Sequence, residues 1–142
     1  KKKPLGGLAR KSAVLNDAKN DNYNYFVVDA GDLFFKKSTI NPGKPVDIAK
    51  ISAETIVNAF NEIGCDAFNV GEKDFALGLD YLTYLKELSD FSYISANIKT
   101  TSPSYSFMKS YVIQTIISIS LFRSVFYLIS SCNPYRKLIF IT

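Results

Sequence analysis

The 142-residue chain has no histidine, only two cysteines, no glycine after Gly78 and no aspartate or glutamate after Asp90. Each absence closes a class of explanation. Without imidazole, no mechanism that relies on a histidine base or a histidine metal ligand can be assembled from these residues alone. Cys65 and Cys132 make neither a disulfide framework nor a zinc site. Cys65 opens an apolar run and reads as a small core thiol. The loss of acids partitions the charge: residues 1–90 carry 12 Lys/Arg against all 13 Asp/Glu, whereas residues 91–142 carry 5 Lys/Arg and no acid. The net charge of +4 therefore belongs to the last third, and no basic patch interleaved with aromatics marks a nucleic-acid surface. Lys1-Lys2-Lys3 is followed by Pro4 and two glycines rather than an apolar core, so no signal peptide is read there. The charge-free run Ser110–Phe122, 13 residues long, is shorter than the roughly 20 a membrane helix needs. Residues 110–135, with Arg123 as their single charge, are a weak candidate for membrane contact.

What is present alternates. Residues 6–19 place Leu8, Ala9, Leu15 and Ala18 at helical spacing. Tyr25–Ala30 is a β-branched and aromatic run, suited to a strand covered on both faces. A loop rich in proline and glycine, INPGKPVD, follows. From about Asp47 to Ile63, the residues Ile48, Ile51, Ile56, Ala59, Phe60 and Ile63 form one apolar stripe, and Gly64 is placed to end that helix in a left-handed conformation. Cys65–Val70 reads as a second buried strand. Leu79, Leu82, Leu85 and Leu88, with Tyr81 and Tyr84 beside them, predict a third helix, and Phe91–Ile98 a third strand. The order helix–strand repeated three times argues for an α/β fold with helices packed on a mostly parallel sheet.

In such a sheet, ligands bind beyond the carboxyl ends of the strands. The loops there are DAGDLFF, VGEKDFALG and ANIKTTSP, so Asp29, Asp32, Glu72, Asp74 and Asn97 are expected along one rim. Converging carboxylates repel one another unless a cation neutralises them, and oxygen-rich clusters suit divalent metals. Each residue also has a plain structural reading. Asp32 after Gly31 fits a turn, Asp74 a turn or N-cap, and Asn97 a residue that satisfies its own loop. Lys36-Lys37 reads as a solvated face, and Tyr81/Tyr84 as packing surface.

Taken together, several blocks resemble the 5′-nucleotidase type of the calcineurin-like metallophosphoesterases. They are GGLAR opening a helix, VVDAGDLF at a strand end, ETIVNAFNEIGCDAF, NVGEKDFALGLDYL, ISANI, and FMKSYVIQTI as a further strand. The resemblance covers roughly residues 5–116. It implies an αββα layer fold, hydrolysis of nucleotides or other phosphate esters (nucleotide catabolism), and divalent metal ions such as Mn, Zn, Mg or Ca. In this chemistry two metals about 3.5–4 Å apart clamp the phosphate and activate a water. The Gly-Asp carboxylate, here Asp32, implies a bridging metal ligand. The second motif departs from the family pattern Gly-Asn-His-Glu-Phe-Asp: the chain has Gly71-Glu72-Lys73-Asp74-Phe75-Ala76. Glu72 stands at the Asn metal-ligand position, and Lys73 stands at the His position of the catalytic machinery, where it offers charge without the same donor geometry. Asp29, Asp74 and Asn97 are expected to support these groups from behind.

Two functional readings follow. In one, the chain is a metallophosphatase of nucleotidase lineage, incomplete and catalytically impaired. In the other, it is a non-catalytic α/β remnant that serves as a cation-binding or protein-interaction module. By analogy with the family, the location is periplasmic or at the cell surface. Residues 1–116 are expected to form a partial metallophosphatase-like domain. Residues 117–142 are expected to form an apolar, Ser/Ile-rich tail, an aggregation hazard in the absence of charges to break it.

Overall fold

The β-branched and aromatic run predicted as the first strand forms β1, Tyr25–Asp29. The computed structural model describes residues 7–21, 25–98, 106–117, 124–130 and 139–141. Upstream of β1 lies α1, Leu8–Asn20. Downstream come α2, Lys44–Ile63, β2, Ala67–Asn69, and a single 3-10 turn, Glu72–Phe75. They are followed by α3, Leu79–Glu87, and β3, Ser92–Ile94. Three more strands complete the described chain: β4, Tyr111–Ile117, β5, Ser124–Ser130, and β6, Ile139–Ile141. Cys132 lies outside the described residues, as does much of the Ser/Ile-rich text around it.

The main sheet has the order β3-β2-β1-β6. β1, β2 and β3 are parallel, with Val28 opposite Ala67 and Phe68 opposite Tyr93. Parallel neighbours require crossover connections, and α2 and α3 supply them. β6 joins β1 antiparallel, with Phe26 opposite Phe140. Lys109 bridges to Ile94 in parallel, so the chain enters β4 alongside β3. β4 and β5 form a separate antiparallel ribbon.

Alternation along the strands decides which side chains meet the helices. Val27, Phe68 and Tyr93 face the principal core with Leu15 of α1, Val57 and Phe60 of α2, and Leu82 and Leu85 of α3. Phe26, Ala67 and Ile94 face the other way and form a smaller cluster that Val112 joins. The principal core is unusually aromatic. Phe68 meets Phe34 at 5.1 Å and Tyr93 at 5.0 Å, both edge-on, while Phe91 stacks on Tyr93 at 5.6 Å. Edge-on and stacked pairs of this kind add attraction beyond area burial.

The helix ends follow their sequence signals. Gly64 closes α2 at φ 80° in the left-handed region, and its N–H donates to the Phe60 carbonyl at 3.1 Å. The predicted apolar stripe of α2 needs correction in its first half. Phe60 and Ile63 are buried with Ala53 and Val57, but Ile48 and Ile51 are each 65% exposed. A helix of 20 residues runs about 30 Å. β1, with 5 residues, covers about 17 Å. The first turns of α2 leave Ile48 and Ile51 uncovered, and Ile48 lines an open cleft instead. α3 shows a milder version: Leu82 and Leu85 are buried, but Leu88 at its end is partly exposed.

Cys65 is a core thiol, as expected. It is buried, and its Sγ lies 3.4 Å from the Ala67 carbonyl. Burial, aided by the nearby Asp29 and Asp66 carboxylates, pushes its pKa up to about 12. Among the described residues no helix is long and apolar enough to cross a membrane.

Two measurements check this packing. In urea unfolding, Val57→Ala should cost about 2 kcal/mol, whereas Ile51→Lys should change stability by no more than about 0.5 kcal/mol. In a Cys132→Ser background, Ellman's reagent at pH 8 should find no reactive thiol in the native protein and one after unfolding in guanidinium.

Candidate functional site

The first strand stops at Asp29, and the chain then makes two unusual backbone choices. Gly31 has φ 107°, and Asp32 has φ 53°, in the left-handed region that aspartate visits more readily than most residues. The loop after β2 approaches so closely that neither glycine can carry a side chain. A Cβ on Gly31 would come within 2.8 Å of the Asn69 carbonyl, and one on Gly71 within 2.5 Å of the Asp32 nitrogen.

Asp74 fastens the two loops together. Its carboxylate is 1% exposed. One oxygen accepts the N–H groups of Asp32 at 2.9 Å and Gly71 at 2.8 Å. The other accepts those of Leu33 at 2.9 Å and Phe34 at 3.0 Å. Burial pushes the Asp74 pKa up to about 6, and the four N–H groups, which favour the carboxylate, oppose that rise. Phe34, the last of the four donors, turns its ring into the core against Phe68 and Tyr93.

Closing the loops in this way brings Asp32 onto Lys73. The Lys73 backbone N–H donates to Asp32 Oδ1 at 3.0 Å, and its ammonium donates to Asp32 Oδ2 at 2.8 Å. Both side chains keep about two-fifths of their surface in solvent, 41% for Lys73 and 40% for Asp32. The hydrogen bond from the ammonium holds the Asp32 carboxyl below its ordinary range. The same bond holds the Lys73 ammonium above its own, with the exposed Glu72 and the buried Asp74 adding in the same direction.

The remaining rim residues are placed less centrally. Asp29 is buried and pairs with Lys11 of α1 at 3.3 Å; its other oxygen accepts the Gly31 N–H at 3.2 Å. Lys11 also lies 4.5 Å above the Phe60 ring. Lys11 does not stand out in the sequence, because its one cue is a helical position facing a strand end 18 residues away. Asn97 is exposed and accepts a hydrogen bond from Ser95 Oγ at 2.9 Å. Asn69 donates to the Ala30 carbonyl at 3.3 Å, and its Oδ1 is buried without a partner among the described residues.

The divalent centre implied by the resemblance can be tested against these donors. Both oxygens of Asp32 are engaged by Lys73. Among the described residues no three acidic, cysteine or histidine side chains converge to hold a metal. The orphaned Asn69 oxygen is a single neutral donor. This set of residues does not fit a two-metal centre.

Comparison with known proteins places the architecture. No family model matches the chain. Over 100 residues, 68% of this chain, it is 31% identical to the trifunctional nucleotide phosphoesterase protein YfkN of Bacillus subtilis. It also superposes on the crystal structure of the calcineurin-like phosphoesterase YfkN from the same organism with a TM-score of 0.62, at 27% identity over 90% of this chain. The chain belongs to the calcineurin-like phosphoesterases, in their nucleotidase-type branch. A second curated relative, the 2′,3′-cyclic-nucleotide 2′-phosphodiesterase/3′-nucleotidase of Salmonella typhimurium, is 29% identical over 68% of the chain. The NAD nucleotidase NadN of Haemophilus influenzae shares the fold, with a TM-score of 0.61 over 78% of the chain at 24% identity. The chain spans only 7% and 16% of the two curated relatives' lengths. It spans 40% and 19% of the two solved chains.

Within this phosphoesterase lobe Asp74 is the structural keystone. Asp74→Ala should cost about 3–5 kcal/mol in urea unfolding, because four N–H groups lose their acceptor. Asp74→Asn should cost less, about 2–3 kcal/mol, since one oxygen is kept and an amide N–H₂ meets donors at the other. A loss below about 1 kcal/mol for Asp74→Ala would contradict this role.

Proposed function

We propose that this chain is a nucleotidase-type phosphoesterase lobe that recognises phosphate esters and, on its own, turns them over weakly or not at all. The carrying observation is the pairing of Lys73 with both oxygens of Asp32. In the family pattern that carboxylate implies a bridging metal ligand, and here a side-chain ammonium sits on it. Glu72 at the Asn position is the other candidate metal ligand, and Lys73 at the His position is the candidate catalytic group. Of the expected supporting residues Asp29, Asp74 and Asn97, Asp74 holds the Asp32 backbone directly, Asp29 holds Gly31 beside it, and Asn97 bonds within its own loop. A carboxylate already neutralised by a lysine attracts a divalent cation less strongly. With no histidine anywhere in the chain, no imidazole is present to shuttle a proton.

In this reading residues 1–116 carry the phosphoesterase-like unit, with β6 adding an edge strand at β1, and a periplasmic or cell-surface location goes with it. The alternative, a non-catalytic cation-binding or protein-interaction module, draws on the same ion pair.

Hydrolysis of AMP, 2′,3′-cyclic AMP and p-nitrophenyl phosphate, each with Mn²⁺, Zn²⁺ or Mg²⁺ added, separates the outcomes. The expected turnover is at or near background with every metal. Vigorous turnover that is lost in Asp32→Asn would overturn the proposal.

A further inference from the structure

Beside the Asp32–Lys73 pair opens a cleft of about 790 Å³, lying between the loop after β1 and the first half of α2. Its volume falls within the roughly 300–1,000 Å³ of small-molecule sites. Lys36, Lys37 and Lys73 line it, and the one acid in its lining, Asp32, is already paired with Lys73. Leu33, Phe35 and Ile48 are among its apolar lining residues. Ile48 stays 65% exposed on a helix whose other half is packed into the core. The cleft therefore combines an excess of lysines in its lining with apolar surface left uncovered at Ile48.

We infer that this cleft binds a phosphate monoester carrying an apolar or aromatic group, with lysines rather than a metal holding the phosphate. The inference rests on the phosphate-ester reading above and deepens it by naming the groups that make the contact. Three lysines against one aspartate leave an excess positive charge of two facing the cleft. A dianionic phosphate is the complementary small ligand, and charge-assisted hydrogen bonds from ammonium groups are among the stronger polar contacts. Ile48, which is exposed, and the half-buried Leu33 and Ile40 would cover the ester's organic part, burying apolar surface that otherwise faces water. Lys36 and Lys37 belong to the same loop that Asp74 pins, two and three residues after Phe34, so these lysines are attached to a rigid anchor rather than to a free loop.

Calorimetric titration of the full chain in EDTA tests this, with AMP, p-nitrophenyl phosphate and inorganic phosphate as separate probes. Both esters should bind saturably without metal, more tightly than inorganic phosphate, and less tightly as salt is raised. The double substitution Lys36→Gln/Lys37→Gln, at two exposed positions, should weaken ester binding about tenfold. Ile48→Asp should weaken the esters more than inorganic phosphate. Circular dichroism of each variant, matching the parent, establishes that loss of binding is not loss of fold. No saturation in EDTA, unchanged affinity in the double variant, or binding that appears only with Mn²⁺ would each overturn the inference. Those outcomes leave the turnover assay to decide the broader reading on its own, because hydrolysis is measured there with metal supplied.

Discussion

Asp74 accepts four backbone N–H groups, three of them from a loop about 40 residues earlier in the chain. A buried carboxylate is costly unless its lone pairs are met by donors, and here each oxygen meets two. That arrangement forces the loops after β1 and β2 together. It requires glycine at positions 31 and 71, directs Phe34 into the aromatic core, and delivers Lys73 to Asp32. Asp29, also buried, adds a single backbone contact by accepting the Gly31 N–H, whereas Asp74 joins the two loops.

The surface pair that results is of a different kind. Asp32 and Lys73 are both well solvated, and such pairs add little to stability. Their consequence is chemical. A carboxylate at the carboxyl edge of a parallel sheet is free to take a cation from solution, and here the chain supplies its own. In the proposed reading, the lysine at the second motif's His position is also the occupant of the neighbouring carboxylate. The chain superposes on solved phosphoesterases at a TM-score of about 0.6, and within it Asp74 and the aromatic core hold the loops and the sheet together.

Much of this was legible in the sequence where short-range rules govern. Alternation of helical and strand periods located α1, β1, α2, β2, α3 and β3 in order, and Gly64 marked its helix end by its need for a left-handed backbone. The blocks around Asp32 and Gly71 pointed to the family. What stayed hidden depends on partners distant in the chain. Asp74 was readable as a turn or cap residue, and it does accept the Gly71 N–H. Its bonds to the opposing loop have no local signature. The Lys11–Asp29 pair and the Lys73–Asp32 pair are hidden for the same reason. Ile48 and Ile51 misled because helical periodicity records which residues share a face, not how far the sheet beneath extends. The antiparallel β6 also escaped, since strand alternation carries no information about direction.

Lys73, held in place through Asp74, is the resident cation of Asp32. A high-resolution crystal structure of the full chain grown in excess Mn²⁺ tests it most directly. The Lys73 ammonium should lie within hydrogen-bond reach of Asp32, with no metal on that carboxylate. Manganese coordinated by Asp32 and Glu72, with the Lys73 side chain displaced into solvent, would contradict it.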